Sequence, residues 1–148
     1  MLKGIDPLLS PELLKALSEM GHADKLVIAD GNFPSASLGK NAVVVRMDGH
    51  KVPEILKAVL AVFPLDTYVE KPVQLMEKVP GDQAKTPIWD TFCALVSAED
   101  ARGKEAIGFL ERFHFYEEAK KAYLIIATSE TAIYANVMLQ KGVVTPAG

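Results

Sequence analysis

Three short apolar runs constrain this chain more than any other feature. Leu26-Val27-Ile28-Ala29, Val43-Val44-Val45 and Leu124-Ile125-Ile126-Ala127 are each bounded by polar or turn-forming residues. Successive side chains of a strand point to opposite faces of a sheet, so a run with no polar alternation reads as a strand covered on both faces. Strands are expected over 25–30 and 42–46, both buried, and most clearly over 123–128, with a weaker one over 73–77.

Helical patterns lie between these runs. Ser10 can accept from a free backbone N–H and Pro11 suits the first helical position. Leu13, Leu14, Leu17 and Met20 then share a face, and Gly21 supplies the stop. A second amphipathic helix is expected over 52–63, carrying Ile55, Leu56, Val59, Leu60 and Phe63 and closed by Pro64. Thr86-Pro87 opens a third by the same cap logic, running towards Glu99. Residues 105–112 read as a strand or extended approach, and 116–121 as a short charged helix. Segment 132–139 fits either period, with strand preferred, and 31–37 reads as a loop rich in small and polar residues. Strands that alternate with helices imply a layered α/β domain with a largely parallel sheet, one domain over residues 1–148. In such sheets ligands bind beyond the carboxyl ends of strands, where Asp30, Arg112 and Thr128 are expected to stand.

Several function classes are disfavoured. Net charge is −3 and no basic run exceeds Lys120-Lys121, whereas nucleic-acid binding needs clustered cations on phosphates. The single cysteine, Cys93, rules out an intrachain disulfide, and its apolar neighbours suit a buried small hydrophobe better than a nucleophile. No stretch approaches the roughly 20 apolar residues that span a bilayer. The first residues lack the apolar core of a signal peptide, so the cytoplasm is the expected location. Phosphate loops, dinucleotide glycine patterns and nucleophile elbows are absent, and His22, His50 and His114 are too scattered for a metal site.

A polar constellation remains. His22 follows a helix and Asp30 follows a strand; Arg112, Tyr134 and Asn136 come later. Singly, each has a commoner structural explanation: a residue near a helix end, a turn former, a surface cation, a strand aromatic. Together they offer an acid–base group that titrates near neutral pH and directional hydrogen bonds for hydroxyls. Phe33, Trp89 and Tyr116 are candidate apolar walls for the C–H faces of a sugar. The set suits proton transfer on a neutral polyol.

These residues lie in segments that resemble the fucose mutarotase and ribose pyranase family. The opening Met1-Leu2-Lys3-Gly4-Ile5 and Leu9-Ser10-Pro11-Glu12 are similar to the fucose branch. So is Arg112-Phe113-His114-Phe115-Tyr116-Glu117, while Gly21-His22-Ala23-Asp24 with Asp30 downstream, and Tyr134-Ala135-Asn136 with Lys141-Gly142-Val143, resemble the family's own motifs. The resemblance runs in one register along essentially the whole chain. It implies a three-layer α/β/α subunit and a ring-shaped homo-oligomer, decameric in family members, with sites between subunits. It also implies activity on a free monosaccharide without cofactor or metal. His22 falls on the family's proton donor, and Asp30, Arg112 and the Tyr134–Asn136 segment on its sugar-binding positions. Tyr116 matches the fucose branch, and Arg112 stands where the ribose branch has His. One departure is Gly31-Asn32-Phe33-Pro34, where the fucose branch commonly reads Ala-His-Phe-Pro; it bears on the choice of sugar more than on the reaction.

The expected chemistry is mutarotation by general acid–base ring opening and closure. His22 makes one proton transfer, held by Asp30; Arg112, Tyr116, Tyr134 and Asn136 fix the sugar. Pyranose–furanose exchange and a non-catalytic sugar-binding module are the alternatives, with a purely structural ring protein a third.

Overall fold

The computed structural model describes residues 1–146. Its elements are α1 (Pro11–Glu19), β1 (Lys25–Ala29), α2 (Ser35–Leu38), β2 (Val43–Met47), α3 (Val52–Leu60), β3 (Val73–Met76), α4 (Ile88–Glu99), β4 (Ile107–Leu110), α5 (Arg112–Ala119), β5 (Leu124–Thr128) and β6 (Val137–Gln140). The six strands form one sheet in the order β2-β5-β1-β6-β3-β4. β6 runs antiparallel to both its neighbours, β1 and β3, while the other pairings are parallel. Five strands therefore point one way, and the start of β6 lies at their carboxyl ends.

Alternation along β1 explains the layering. Leu26 and Ile28 face a core shared with α1, α3 and α4, where Leu13, Ile55, Leu56 and Phe92 are fully covered. Val27 and Ala29 face the other side, against Phe115 and Ala119 of α5 and Phe33 beside α2. The three-layer α/β/α expectation is borne out. Among the described residues no helix is long and apolar enough to cross a membrane.

Local chemistry sets the boundaries. Ser10 Oγ accepts from Leu13 N–H at 3.2 Å, as its sequence position requires. Glu111 caps α5 by accepting from the N–H groups of Phe113 and His114, so that helix starts at Arg112 rather than 116. Arg112 thus opens a helix two residues beyond the carboxyl end of β4. Thr86 does not cap α4 with its side chain; its carbonyl accepts from Trp89 N–H at 3.1 Å. β2 is an edge strand with Val43 and Arg46 exposed, so the expectation of full burial fails there. Residues 35–38 form one helical turn within the expected loop. The ambiguous 132–139 segment divides into a turn and β6.

Candidate active site

The carboxyl ends of β1 and β3, the first turn of α5 and the turn before β6 converge on a cleft of about 290 Å³. Asp30, Asn32, Phe33, Arg112, Tyr116, Tyr134 and Asn136 line it, with Met76, Val79 and Ile133 as apolar wall and Asp82 at one side. Five residues singled out from the sequence, Asp30, Arg112, Tyr116, Tyr134 and Asn136, are brought together here.

Asp30 is buried, at 6% exposure. Burial raises its pKa above the usual carboxylate value, opposed by N–H donors of Asn32, Ala135 and Phe33. Asn32 N–H reaches Oδ1 at 3.0 Å, and Ala135 N–H reaches Oδ2 at 3.4 Å. The Asp30 backbone N–H donates to Asn136 Oδ1 at 2.7 Å. That bond fixes the Asn136 amide with its oxygen occupied, which leaves its NH₂ group as a donor towards the cleft.

Tyr134 has a left-handed backbone, φ 54°. A non-glycine residue held there is a local strain that surrounding contacts must maintain. Those contacts are present. The Tyr134 carbonyl accepts from Trp89 Nε1 at 2.8 Å, and its hydroxyl donates to Asp82 Oδ2 at 2.5 Å and accepts from Val79 N–H at 3.2 Å. Tyr134 therefore joins α4 to the 77–82 segment across the mouth of the cleft. The bond to Asp82 raises the phenol pKa and lowers that of the carboxyl. Arg112 Nε donates to Tyr116 Oη at 3.3 Å, and its guanidinium lies 5.6 Å from the Tyr116 ring. Trp89 is no wall of the cleft: its ring packs on Phe109, and it acts through the Tyr134 carbonyl.

His22 is not in this cleft. It precedes β1, whereas Asp30 follows it, and the strand alone interposes about 13 Å. Asp30 does not hold His22 within one subunit, which corrects the expected pairing. His22 Nε2 instead lies 3.1 Å from Oδ1 of Asp66, which is 1% exposed. The His22 ring packs on Tyr68 with centroids 5.1 Å apart. Gly21-His22-Ala23-Asp24 forms a tight turn: Asp24 Oδ2 accepts from Gly21 N–H at 2.7 Å, and Ala23 sits at φ 71°. The spacing of Gly, His and Asp in that motif thus has a structural cause.

Asp66 and Asp82 escaped the sequence reading. Leu65-Asp66-Thr67-Tyr68 and Pro80-Gly81-Asp82 carry only turn signals. Nothing local indicates that either carboxylate meets a residue 44 or 52 positions away.

A cleft at the carboxyl edge of a mixed sheet, apolar on one wall and studded with hydroxyl-matching groups, defines an α/β protein that binds a small polar molecule. The chain belongs to the RbsD / FucU transport protein family, whose model matches residues 3–144. It is 50% identical over 145 residues to the fucose mutarotase of Mus musculus, covering 95% of this chain and 94% of that protein. The structure of FucU from Bifidobacterium longum superposes with a TM-score of 0.95 at 66% identity, covering 97% of this chain and all of that one. The fucose mutarotase of Streptococcus pneumoniae, solved in complex with L-fucose, gives 0.89 at 45% identity, over 97% of this chain and 100% of that one.

Proposed function

We propose that this chain is a sugar mutarotase that interconverts the α and β anomers of free L-fucose or a close relative of it. The observation that carries the reading is the convergence of Asp30, Arg112, Tyr116, Tyr134 and Asn136 on one cleft. Relatives named fucose mutarotase, one of them holding L-fucose, support the substrate class. Asp30, Arg112 and the Asn136 amide read hydroxyls. Met76, Val79 and Ile133 accept an apolar part of the sugar.

Ring opening removes a proton from the anomeric hydroxyl and delivers one to the ring oxygen as the C1–O5 bond breaks and C1 becomes a carbonyl. Closure on the other face of C1 reverses both transfers. Water performs this slowly, so a positioned acid–base group worth roughly 10²–10⁴-fold accounts for much of the task. His22 is that group, and it acts in the cleft of a neighbouring subunit. The side chain of His22 is 44% exposed at the amino end of β1. Tyr68 beside it is 78% exposed, and Val143 and Val144 follow on the same edge at 51% and 71%. At the cleft Val79 and Ile133, and next to it Phe113 under the Arg112 guanidinium, are likewise open. Apolar surface at both ends of one sheet suits a head-to-tail ring, in which each contact is the same and closes on itself. The assembly is a cytoplasmic homo-oligomeric ring of the decameric kind, with sites between subunits.

Saturation-transfer NMR between the anomeric protons of L-fucose tests the reading. Wild-type protein is expected to exchange α and β signals, and His22→Ala to lose that exchange while still folded and assembled. Binding of L-fucose without exchange in the wild type would make the chain a sugar-binding module instead.

A further inference from the structure

The peptide between Tyr134 and Ala135 is held at its two ends by two different elements. Its carbonyl accepts from Trp89 Nε1 of α4 at 2.8 Å, and its N–H donates to Asp30 Oδ2 at 3.4 Å. A trans peptide is planar, and its C=O and N–H point opposite ways. Indole and carboxylate therefore act on one rigid unit from opposite sides. That unit lies in the turn before β6, outside the sheet ladder, and the residue on its amino side is the left-handed Tyr134. Each end has one hydrogen-bond partner among the described residues. Ala135 is fully buried and Asp30 nearly so, which makes an N–H turned away from the carboxylate costly. Trp89 is the only tryptophan of the chain. Its ring packs on Phe109 with centroids 4.9 Å apart, and Lys78 Nζ lies 5.5 Å from it. Packing of that kind needs an aromatic ring but no donor; the indole N–H answers to the peptide.

Resting on the mutarotase reading, we infer that Trp89 is a positioning residue for the sugar-binding carboxylate: its indole N–H sets the plane of the 134–135 peptide and so keeps the Ala135 N–H on Asp30. Only an ionised Asp30 accepts from sugar hydroxyls with both oxygens, and an N–H donor favours that form. Burial opposes it first, and the charge of Glu130 beyond β5 adds to that opposition. The N–H groups of Asn32 and Phe33 work against burial from the loop after β1, and that of Ala135 does so from the facing turn. Arg112, Tyr116, Tyr134 and Asp82 line the same cleft, and in the proposed ring the neighbouring subunit's His22 joins them. Of the donors on Asp30, the Ala135 N–H is the one whose peptide a side chain of α4 holds.

The test exchanges the sole tryptophan of the assembled protein for β-(3-benzothienyl)alanine, in which sulfur replaces the N–H and the ring keeps its shape, with Trp89→Phe beside it. In the wild type both the indole N–H and the Ala135 amide are expected to resist hydrogen exchange. Without the indole donor the Ala135 amide should exchange at least about tenfold faster. KM for L-fucose should rise at least about fivefold, with kcat changed less than about twofold because His22 is untouched. In a His22→Ala background, where no imidazole titrates in the cleft, the loss of L-fucose affinity on acidification should move to higher pH, since the ionised Asp30 has lost a donor. A merely structural role would lower the urea midpoint and leave KM and the acid limb in place. An indole N–H that exchanges freely in the wild type would overturn the inference, whether or not either variant assembles. Assembled benzothienylalanine protein with wild-type KM and an unmoved acid limb would overturn it too. Wild-type protein that neither binds nor exchanges L-fucose removes the reading on which the inference rests, whereas a wild type that does both, beside an indifferent benzothienylalanine form, removes the inference alone.

Discussion

His22 and Asp30 stand at opposite ends of β1, each tied to its own partners: His22 to Asp66, Asp30 to Asn32 and Ala135. The strand between them is central in the sheet and covered on both faces, so no local rearrangement brings the two side chains together. The ring proposed above is built on this separation: in it, one subunit's amino edge, with His22, faces the next subunit's carboxyl edge, with the cleft.

Asn136 links this cleft to the sheet. Asn136→Ala removes the acceptor for the Asp30 N–H and leaves a buried donor unpaired, at about 1–3 kcal/mol. It also removes the amide donor offered to the sugar. Urea unfolding should show the lower stability, and titration calorimetry with L-fucose should show weaker binding.

Tyr134→Phe keeps the ring but deletes the bonds to Asp82 and Val79. Residues 77–82 then lose their tether to the cleft. Faster amide hydrogen exchange is expected there, with a higher KM for L-fucose and little loss of global stability, since the hydroxyl lies outside both cores.

Phe115 forms the floor under the cleft. It is fully buried on α5, and Phe33 meets it edge-on at 6.0 Å. Phe115→Ala opens a cavity there and should cost about 3–5 kcal/mol. Because Phe33 lines the cleft, sugar affinity should fall as well, a coupling that Phe92→Ala in the opposite core should lack at a similar loss of stability.

Acidification separates the carboxylates by sign. Asp66 and Asp100 have folded-state pKa values below 3.8. Each therefore contributes stability that is present above the unfolded value and is lost as pH falls through the folded one. Asp30 is raised above 3.8 by burial, so its ionised form costs stability, and that cost is relieved as pH drops through its folded value. Urea midpoints against pH should show Asp66→Asn with a shallower loss below about pH 4. Asp30→Asn should gain relative to wild type at neutral pH and lose that gain on mild acidification.

Much of this was legible in the sequence. β1 and β5 are continuous apolar runs because neighbours cover them on all sides, and Ser10-Pro11 announces α1 directly. Arg112 stands beyond a strand end as expected, but the start of α5 at 112 rather than 116 is not legible, because Glu111 is an uncommon cap and the helix has no apolar stripe. β2 carries an interior pattern on an edge, where its composition says nothing of its place in the sheet order. The cleft residues were found because their motifs resemble a family, not because spacing alone joins Asp30 to Asn136. The pairing of His22 with Asp66 was out of reach. It depends on how the 65–68 turn crosses the end of β6, a contact that no local period encodes.

The most direct test of the composite site is complementation. His22→Ala and Asp30→Ala are each expected to lose saturation transfer between the anomers of L-fucose. Co-expressed, they form mixed rings in which an intact cleft from one variant meets an intact His22 from the other at about a quarter of contacts. Exchange should return to about a quarter of the wild-type rate per site, and not when the two purified variants are combined without subunit exchange. Co-expressed rings of confirmed mixed composition that stay inactive would contradict the shared site and return His22 to a role within its own subunit.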